Sequence, residues 1–327
     1  MLKYHPNFTP LSGLANRHCQ TLASAALGRI NKIPFIRREL LLPDGDFIDL
    51  DWTGTPDANS VTPIVVIFHG LEGSSESHYA NTLARAASEN GWHAVVMNFR
   101  SCSGRLNLKP RLYHSGETGD AKYLLEQLKL QYPSAPLYAA GFSLGGNMLL
   151  KMAGELGSDL KFDAIVSVCA PIKLEESARY MIKGLSRFYQ LYLLRALKRK
   201  VLDKFKLHDY NAMINLDKQA IIHCQDILEF DDLFTSRIHG FKDAKDYYEK
   251  SSAFPYIMEI TKPCLILHTL DDPIAPSSIL PQSTELPVHI RLEVSKSGGH
   301  VGYLGGSLFN PVFWLPGKII SYFEQVK

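Results

Sequence analysis

The stretch "PLYAAGFSLGGNMLLKMAGE", residues 136–155, places a serine between glycines where a strand pattern changes into a helix pattern. Its first part is a short apolar run rich in β-forming side chains, and its second part repeats apolar side chains at helical spacing. A sharp turn between a strand and a helix projects the hydroxyl of Ser143 and leaves no room for a β-carbon two positions before or after it. Gly141 and Gly145 meet that need, so the stretch predicts a strand, a tight turn and a helix.

Two interpretations of Ser143 compete. The bare pattern is only moderately specific, since composition alone gives about 0.1 such matches in a chain of this kind. In one interpretation the hydroxyl merely caps the helix that follows. In the other it is a catalytic nucleophile, because the first N–H groups of the helix and its positive dipole end favour a developing oxyanion. The flanking strand and helix favour the nucleophile, which then needs a base and an acid from elsewhere in the chain.

Candidates for that base and acid follow two strand-like runs downstream, in the order serine, acid, histidine that this arrangement requires. His300 lies in a glycine-rich loop in "LEVSKSGGHVGYL", residues 292–304, and is predicted to be the base. Asp272, in "LILHTLDDPIAPSS", residues 265–278, is predicted to be the acid because a Pro-containing turn follows it, and Asp271 is the alternative. A role of both aspartates in capping the next turn also stays open.

A tetrahedral oxyanion needs two backbone N–H donors. One belongs to the residue after the nucleophile and one to the loop after the third strand, which here are Leu144 and Leu71. Leu71 lies in "IFHGLEGSS", residues 67–75. His69 in the same loop is expected to be structural, and Glu72 is expected to orient the loop or cap the next helix, with no catalytic role.

The wider pattern predicts an α/β fold with a mostly parallel sheet. Residues 36–53 read as an antiparallel hairpin around a Pro-Asp-Gly turn. Strand-like apolar runs alternate with helical patterns, and continuous apolar strands joined by helices indicate a parallel sheet covered on both faces. The runs are at residues 63–70, 92–100, 136–142, 162–170 and 262–270, and the clearest helical patterns at residues 77–91 and 119–133.

We expect one domain over residues 1–327, with a helical cap at residues 172–260, where no strand pattern occurs. Part of this segment predicts an amphipathic helix whose apolar side faces the core, away from its polar side chains. A basic amphipathic helix can also lie on a membrane, so peripheral membrane contact through the cap stays open. The apolar side comprises Leu185, Phe188, Tyr189, Tyr192, Leu193 and Ala196, and the polar side Arg187, Gln190 and Arg195.

Composition and charge argue against several kinds of partner, location and cofactor. A formal net charge of +2 over 327 residues is too small to indicate a nucleic-acid partner. The first 20 residues lack the pattern of a secretory signal, and no apolar run reaches the length that spans a bilayer. Five scattered cysteines without CxxC spacing favour reduced thiols in the cytoplasm and no zinc site. Neither a metal nor an organic cofactor is expected, and the oligomeric state is open.

The sequence resembles the α/β hydrolase fold, and more narrowly the YheT-like family of hydrolases, which is related to eukaryotic medium-chain acyl esterases and phospholipid-cleaving hydrolases. The most specific segments are "NFRSCSGRLN" (98–107) and "YHSGETGD" (113–120). Ser101 departs from the family pattern, which usually has glycine there, and this puts the local loop shape in question. The other matching segments are "HGLEGSSESHY" (69–79), "GFSLGGN" (141–147), "DDPIAP" (271–276) and "GGHVGYL" (298–304).

The resemblance implies hydrolysis of carboxylic esters with a short or medium acyl chain by Ser143, Asp272 and His300, through an acyl-enzyme. The expected substrate is a small-molecule or lipid-derived ester. Two alternatives stay open. One is a phospholipase or acyltransferase acting on lipids with the same fold, and the other is a fold member that binds a ligand without catalysis.

Overall fold

A computed structural model of the chain describes residues 8–28 and 32–326. Eight of its ten strands form one sheet, and the last two form a separate antiparallel pair. The strands are β1 (Ile36–Leu41), β2 (Phe47–Trp52), β3 (Ile64–Phe68), β4 (His93–Asn98), β5 (Leu137–Phe142), β6 (Ala164–Val168), β7 (Cys264–Thr269), β8 (Ile290–Ser295), β9 (Leu304–Ser307) and β10 (Asn310–Phe313).

Helices fill most of the connections between these strands. They are α1 (Arg17–Leu27), α2 (His78–Glu89), α3 (Gly119–Gln131), α4 (Leu144–Leu156), α5 (Leu174–Met181), α6 (Ser186–Lys204), α7 (Tyr210–Ile214), α8 (Lys218–His223), α9 (Ile227–Phe230), α10 (Ser236–Ile238), α11 (Ala244–Ser251) and α12 (Trp314–Gln325). Within the part of the chain that the structure describes, no helix is both long and apolar enough to cross a bilayer.

The main sheet has the strand order β1-β2-β4-β3-β5-β6-β7-β8. β1 pairs antiparallel with β2 and β2 with β4, and all the remaining pairs are parallel. The predicted α/β fold with a mostly parallel sheet is therefore confirmed. The hairpin expected at residues 36–53 is β1 and β2, and the five apolar runs are β3 to β7.

Helices cover both faces of this sheet. In β3, Ile64, Val66 and Phe68 pack in the cluster that contains the inner sides of α3 and α4. The intervening Val65 and Ile67 pack in a second cluster with α2 and α12. All five side chains are fully buried. Burial on both faces explains why the strands read as continuous apolar runs rather than as alternating ones.

Helices without strands occupy the chain between β6 and β7, from α5 to the short 3₁₀ helix at Phe254–Glu259. The division into a domain over residues 1–327 with a cap at residues 172–260 stays a prediction. The predicted orientation of the cap helix α6 is wrong in part: Tyr189 and Leu193 pack against the core as expected, but other members of the two sides do not. Phe188 and Tyr192 are each 70% exposed, whereas Gln190 is buried.

The physical reason is that a different side of α6, with Leu194, Leu197 and Val201, packs into the core. At the end of this side Lys204, fully buried, donates to the carbonyl oxygen of Asn107 at 2.9 Å and also to that of Lys109. With this side turned inward, Phe188 and Tyr192 are left on the outside.

A buried arginine organises the loop after β4. Arg100 is 1% exposed and pairs bidentately with Asp120, at 2.6 and 2.7 Å. It also reaches Asp46 and Asp44, each at 2.8 Å. These bonds tie the hairpin turn, the loop after β4 and the start of α3 to one side chain.

Replacing Arg100 with methionine should leave buried carboxylates without their cation. We expect the free energy of unfolding to fall by about 3 to 5 kcal/mol, the usual effect of removing one partner of a buried ion pair. Urea unfolding followed by circular dichroism measures it.

The matched control is Arg179→Met, because Arg179 is 62% exposed and pairs with Glu175 on the same helix. We expect it to cost less than about 1 kcal/mol. Equal losses in the two variants would contradict a structural role of the buried network.

Candidate active site

The strand, turn and helix predicted around Ser143 are β5, a one-residue turn and α4. Ser143 has φ 51° and ψ −118°, a conformation that side-chain-bearing residues rarely adopt, and its N–H donates to the Val168 carbonyl at 2.8 Å. A β-carbon on Gly141 would lie 2.4 Å from the Gly145 oxygen, and one on Gly145 would lie 2.4 Å from the Phe68 oxygen. The glycines are thus required by close approach of α4 to the sheet.

One cavity of about 290 Å³ contains both the serine and the histidine. Gly70, Leu71 and Leu144 also line it. Among the residues that the structure describes, the hydroxyl of Ser143 makes no hydrogen bond, with His300 or with any other group. Such bonds are often long in unliganded sites and shorten when substrate binds, so the shared cavity is the relevant observation.

His300 and Asp272 are in direct contact. The Nδ1 atom of His300 lies 2.9 Å from Asp272 Oδ2 and 3.1 Å from Oδ1. Asp272 Oδ1 also accepts the N–H groups of Ile274 at 2.7 Å and Ala275 at 2.9 Å. These bonds fix the carboxylate, which in turn orients the imidazole with Nδ1–H toward it and leaves Nε2 for proton transfer.

The environment of Asp272 favours its charged form. Burial alone would raise the pKa of this carboxyl group, but the charge and hydrogen bond of His300, together with His268 and the Ala275 N–H, hold the pKa below its usual value. A carboxylate that stays ionised is what an orienting acid requires.

Asp271 is placed differently. It accepts the N–H of Gly299 at 3.0 Å, so it binds the backbone of the histidine loop rather than the imidazole ring. Burial is the main influence on Asp271 and raises its pKa above the usual value. Of the two aspartates that the sequence left as alternatives, the structure brings Asp272 to His300.

The backbone N–H groups of the two predicted oxyanion donors, Leu71 and Leu144, form no hydrogen bond with any described residue. Leu144 is the first residue of α4, whose N–H has no intrahelical acceptor. No group in the described residues, 8–28 and 32–326, accepts the N–H of Leu71 either. Both residues line the cavity beside Ser143.

Glu72 holds the loop of Leu71 in place. It has φ 56°, and its N–H donates to the Tyr113 hydroxyl at 2.7 Å. That hydroxyl donates to the Glu72 carboxylate at 2.8 Å, and Lys200 of α6 donates to the same carboxylate at 2.6 Å. The sequence interpretation of Glu72 as an orienting group therefore agrees with its contacts, although its anchors on Tyr113 and Lys200 had no sequence signal.

His69 is fully buried beneath this loop. Its Nε2 accepts the N–H of Phe99 at 3.1 Å, so Nδ1 carries the proton and donates to the Gly70 oxygen at 2.8 Å. Burial lowers its pKa to about 3, so the ring is neutral. His69 shapes the loop and does not face the cavity.

Helix α1, which the sequence analysis did not predict, supports the histidine loop. The hydroxyl of Thr21 accepts the N–H of His300 at 2.9 Å. Gln20, fully buried, forms a pair of bonds with the backbone of Leu304, at 3.0 and 2.8 Å. An Asn16 N-cap before an alanine-rich run is the signal that could have revealed the helix. Its contact with the loop could not be read from the chain, because it depends on single hydrogen bonds between distant residues.

Ser101 adopts the backbone conformation that glycine would adopt there. Its φ is 63°, and its hydroxyl bonds the Asn107 side chain at 2.6 Å and accepts the Asn107 N–H at 3.0 Å. These two bonds compensate for the unfavourable φ, so the departure from the family pattern is accommodated within the loop.

Two groups of side chains in the described residues lie close enough to hold a metal ion. In the first, His114 Nδ1 accepts the Gly116 N–H at 3.1 Å and Glu117 binds Arg111 at 2.7 Å, so protein groups already use these atoms. The second adds Cys169 to the Asp272 and His300 pair, and burial raises the pKa of this thiol well above its usual value. A neutral thiol is a weak metal ligand. The first group comprises His114, Glu117 and His239.

Comparison with known proteins concerns the family and the fold of the chain. The model of the α/β hydrolase fold family matches residues 63–307. The chain is 44% identical to the Escherichia coli protein named "Putative esterase YheT" over 95% of this chain and 91% of that protein. It is 30% identical to human phospholipase ABHD3 over 83% of this chain and 67% of that protein.

Solved structures support the fold. The Pyrococcus furiosus esterase Pf2001 superposes with a TM-score of 0.55 at 14% identity, over 89% of this chain and 91% of that chain. At this identity the likeness concerns the architecture alone.

The opposite pKa shifts of the two aspartates predict opposite effects on stability. The lowered pKa of Asp272 means that its ionisation stabilises the fold above the unfolded-state pKa and that this contribution is lost as the pH falls through the folded-state pKa. Asp272→Asn should therefore lose more stability at pH 7 than at pH 3. The raised pKa of Asp271 has the opposite effect, because ionisation of Asp271 destabilises the fold. The free energy of unfolding of Asp271→Asn, relative to that of the wild type, should therefore be higher at pH 7 than at pH 3.

Urea unfolding of the two variants and the wild type at both pH values measures these differences. Asparagine keeps an acceptor for the Gly299 N–H, so the two replacements are matched in shape. The same sign of pH dependence in both variants would contradict the assignment of their different environments.

Proposed function

Since the chain belongs to the α/β hydrolase fold family, we propose that it is a serine carboxylesterase that hydrolyses esters with a short or medium acyl chain. The observation that carries the proposal is the cavity itself. It brings Ser143 together with His300, which is bonded to Asp272, and with the unpaired N–H groups of Leu71 and Leu144.

In the proposed reaction, the Ser143 hydroxyl oxygen attacks the ester carbonyl while Nε2 of His300 takes its proton. The carbonyl π electrons move to oxygen, and the N–H groups of Leu71 and Leu144 stabilise the resulting anion. When the oxyanion collapses, the bond to the alcohol oxygen breaks and His300 returns the proton to that alcohol. An acyl-enzyme on Ser143 remains.

Water then repeats the sequence as the second nucleophile. His300 takes a proton from water, the hydroxide attacks the acyl carbonyl, and the bond to the Ser143 oxygen breaks as the serine regains its proton. The carboxylic acid leaves. Asp272 keeps Nδ1–H of His300 toward itself throughout and stabilises the imidazolium that forms twice in each cycle. Each of these steps uses only groups of this chain and water.

A second candidate is a phospholipase or acyltransferase that acts on lipid esters. It is favoured by the name of the human relative, a phospholipase, and by exposed apolar side chains of α6 near the cavity. Product analysis with phosphatidylcholine, and with added alcohols as acyl acceptors, distinguishes the two candidates. Peripheral membrane contact through the basic cap helix belongs to this second candidate. Lys200 and Lys204 bind protein groups, whereas Arg187, Arg195 and Arg199 of the same helix are exposed.

A cytoplasmic location is part of the proposal. All five cysteines lie in the described residues, and none of them forms a disulfide. Free thiols, most of them buried, are what a reducing compartment favours.

Replacing the nucleophile tests the proposal most directly. Ser143→Ala should lower kcat for p-nitrophenyl butyrate by about 10⁶-fold, as loss of the nucleophile does in a comparable triad. A fluorophosphonate probe should label the wild type and leave the variant unlabelled.

Ser134→Ala is the matched control, because Ser134 is exposed and lies outside the cavity. It should keep both labelling and turnover. If folded wild-type protein failed to label, the non-enzymatic alternative would replace the proposal.

The support of the histidine loop by α1 gives a further expectation. Thr21→Val removes the acceptor of the His300 N–H, and an unsatisfied N–H costs about 1 to 3 kcal/mol. We therefore expect kcat to fall about tenfold with little change in KM, because the imidazole loses its position while the substrate contacts remain. Steady-state kinetics over a range of p-nitrophenyl butyrate concentrations measures kcat and KM.

Thr21→Ser keeps the hydroxyl and should restore kcat. Thr82→Val is the matched control, since the Thr82 hydroxyl bonds only carbonyl groups of its own helix. A loss of kcat in Thr82→Val equal to that in Thr21→Val would show a general effect on stability instead of a positioning role.

A further inference from the structure

An apolar groove lies between α1 and α6. It has a volume of about 690 Å³, more than twice that of the Ser143 cavity. Its outer walls are side chains that a folded protein usually buries, and four of them are more than half exposed. These four are Leu22 (60%), Leu185 (58%), Phe188 (70%) and Tyr192 (70%).

The groove adjoins the cavity of Ser143 and His300. Five residues line both of them, so the two spaces share a boundary. One of the five, Ile274, lies two residues after Asp272. The shared residues are Thr21, Ala25, Tyr192, Leu193 and Ile274.

The lining of the groove indicates an uncharged, apolar occupant. No Asp, Glu, Lys or Arg is among the described residues that line it. Its two most polar side chains satisfy each other, since His18 Nδ1 and the Tyr189 hydroxyl are 3.0 Å apart and their rings are stacked. Apart from Thr21, what remains is alanine, leucine, isoleucine and aromatic surface, and contact of this surface with hydrocarbon is favourable.

We propose that the groove between α1 and α6 binds the aliphatic chain of an ester substrate whose carbonyl group lies at Ser143. This inference rests on the proposed esterase function and extends it. The first carbons of the chain occupy the cavity, and later carbons pass Ile274 and Tyr192 into the groove. The chain belongs either to the acyl part or to the alcohol part of the ester, since both begin at the same carbonyl group.

Lipid surfaces fit the groove less well than a single chain. A membrane-docking face usually combines apolar side chains with cations. The exposed cations of α6, Arg187, Arg195 and Arg199, are not among the residues that line the groove. A boundary shared with the cavity, by contrast, is what a chain attached to the reacting ester requires.

The test is a chain-length series with soluble esters below their aggregation concentration. One arm uses p-nitrophenyl esters from acetate to decanoate, and the other uses acetates of alcohols from ethanol to decanol. For the arm whose chain enters the groove, kcat/KM of the wild type should rise by about fourfold for each methylene that is buried.

The variants Leu22→Gln and Phe188→Gln place amides on opposite walls of the groove, at exposed positions that line the groove but not the cavity. In each of them the ratio of kcat/KM for decanoate or decyl acetate to that for the shortest ester should fall by about tenfold or more. Leu130→Gln is the matched control, because Leu130 is 75% exposed on α3 and lines neither space. It should keep the wild-type ratio.

Equal ratios in all four proteins, with normal hydrolysis of the shortest esters, would overturn the inference and leave the esterase function standing. Failure of the folded wild type to hydrolyse any ester would overturn both. Loss of binding to phosphatidylglycerol vesicles in the groove variants, with unchanged chain-length ratios, would assign the groove to a membrane surface and also overturn the inference.

Discussion

The left-handed backbone of Ser143 is the constraint on which the rest of the site depends. With φ at 51°, the chain turns from β5 into α4 within one residue, and the helix starts so close to β3 that Gly145 nearly touches the Phe68 carbonyl. That approach brings the free N–H of Leu144 and the loop containing Leu71 to the same cavity. The nucleophile and the oxyanion donors of the proposed reaction thus follow from a single steric condition.

Positive φ recurs around the site. Seven residues other than glycine have positive φ among those that the structure describes, and six of them follow the carboxyl ends of β3, β4, β5, β6 and β8. Such conformations persist only where the surroundings hold them, and they concentrate where side chains must be aimed. For Glu72 the holding groups are Tyr113 and Lys200, and for Ser101 the holding group is Asn107. The six are Glu72, Ser101, Ser143, Cys169, Val301 and Tyr303.

Whether the sequence predicts an element correctly depends on what that element packs against. Strands β3 to β7 are buried on both faces, so their apolar runs are unambiguous, and the positions of Asp272 and His300 follow from the ends of such runs. Helix α6 defeats the same reasoning. Hydrophobic periodicity assumes that the apolar stripe faces the core. Here a neighbouring side, with Leu194, Leu197 and Val201, packs into the core, while Phe188 and Tyr192 line an open groove.

Helix α6 has a different task at each end. Its C-terminal half is fastened to the core by Lys200 on Glu72 and by Lys204 on the Asn107 carbonyl. Its N-terminal half carries Phe188 and Tyr192 on the groove and meets α1 through the bond between Tyr189 and His18. Widening the groove by moving the whole helix would separate Lys200 from Glu72, a buried ion pair whose separation is costly. The proposed chemistry and the proposed binding of the chain are therefore coupled, because one helix supports the loop of Leu71 at one end and forms the groove wall at the other.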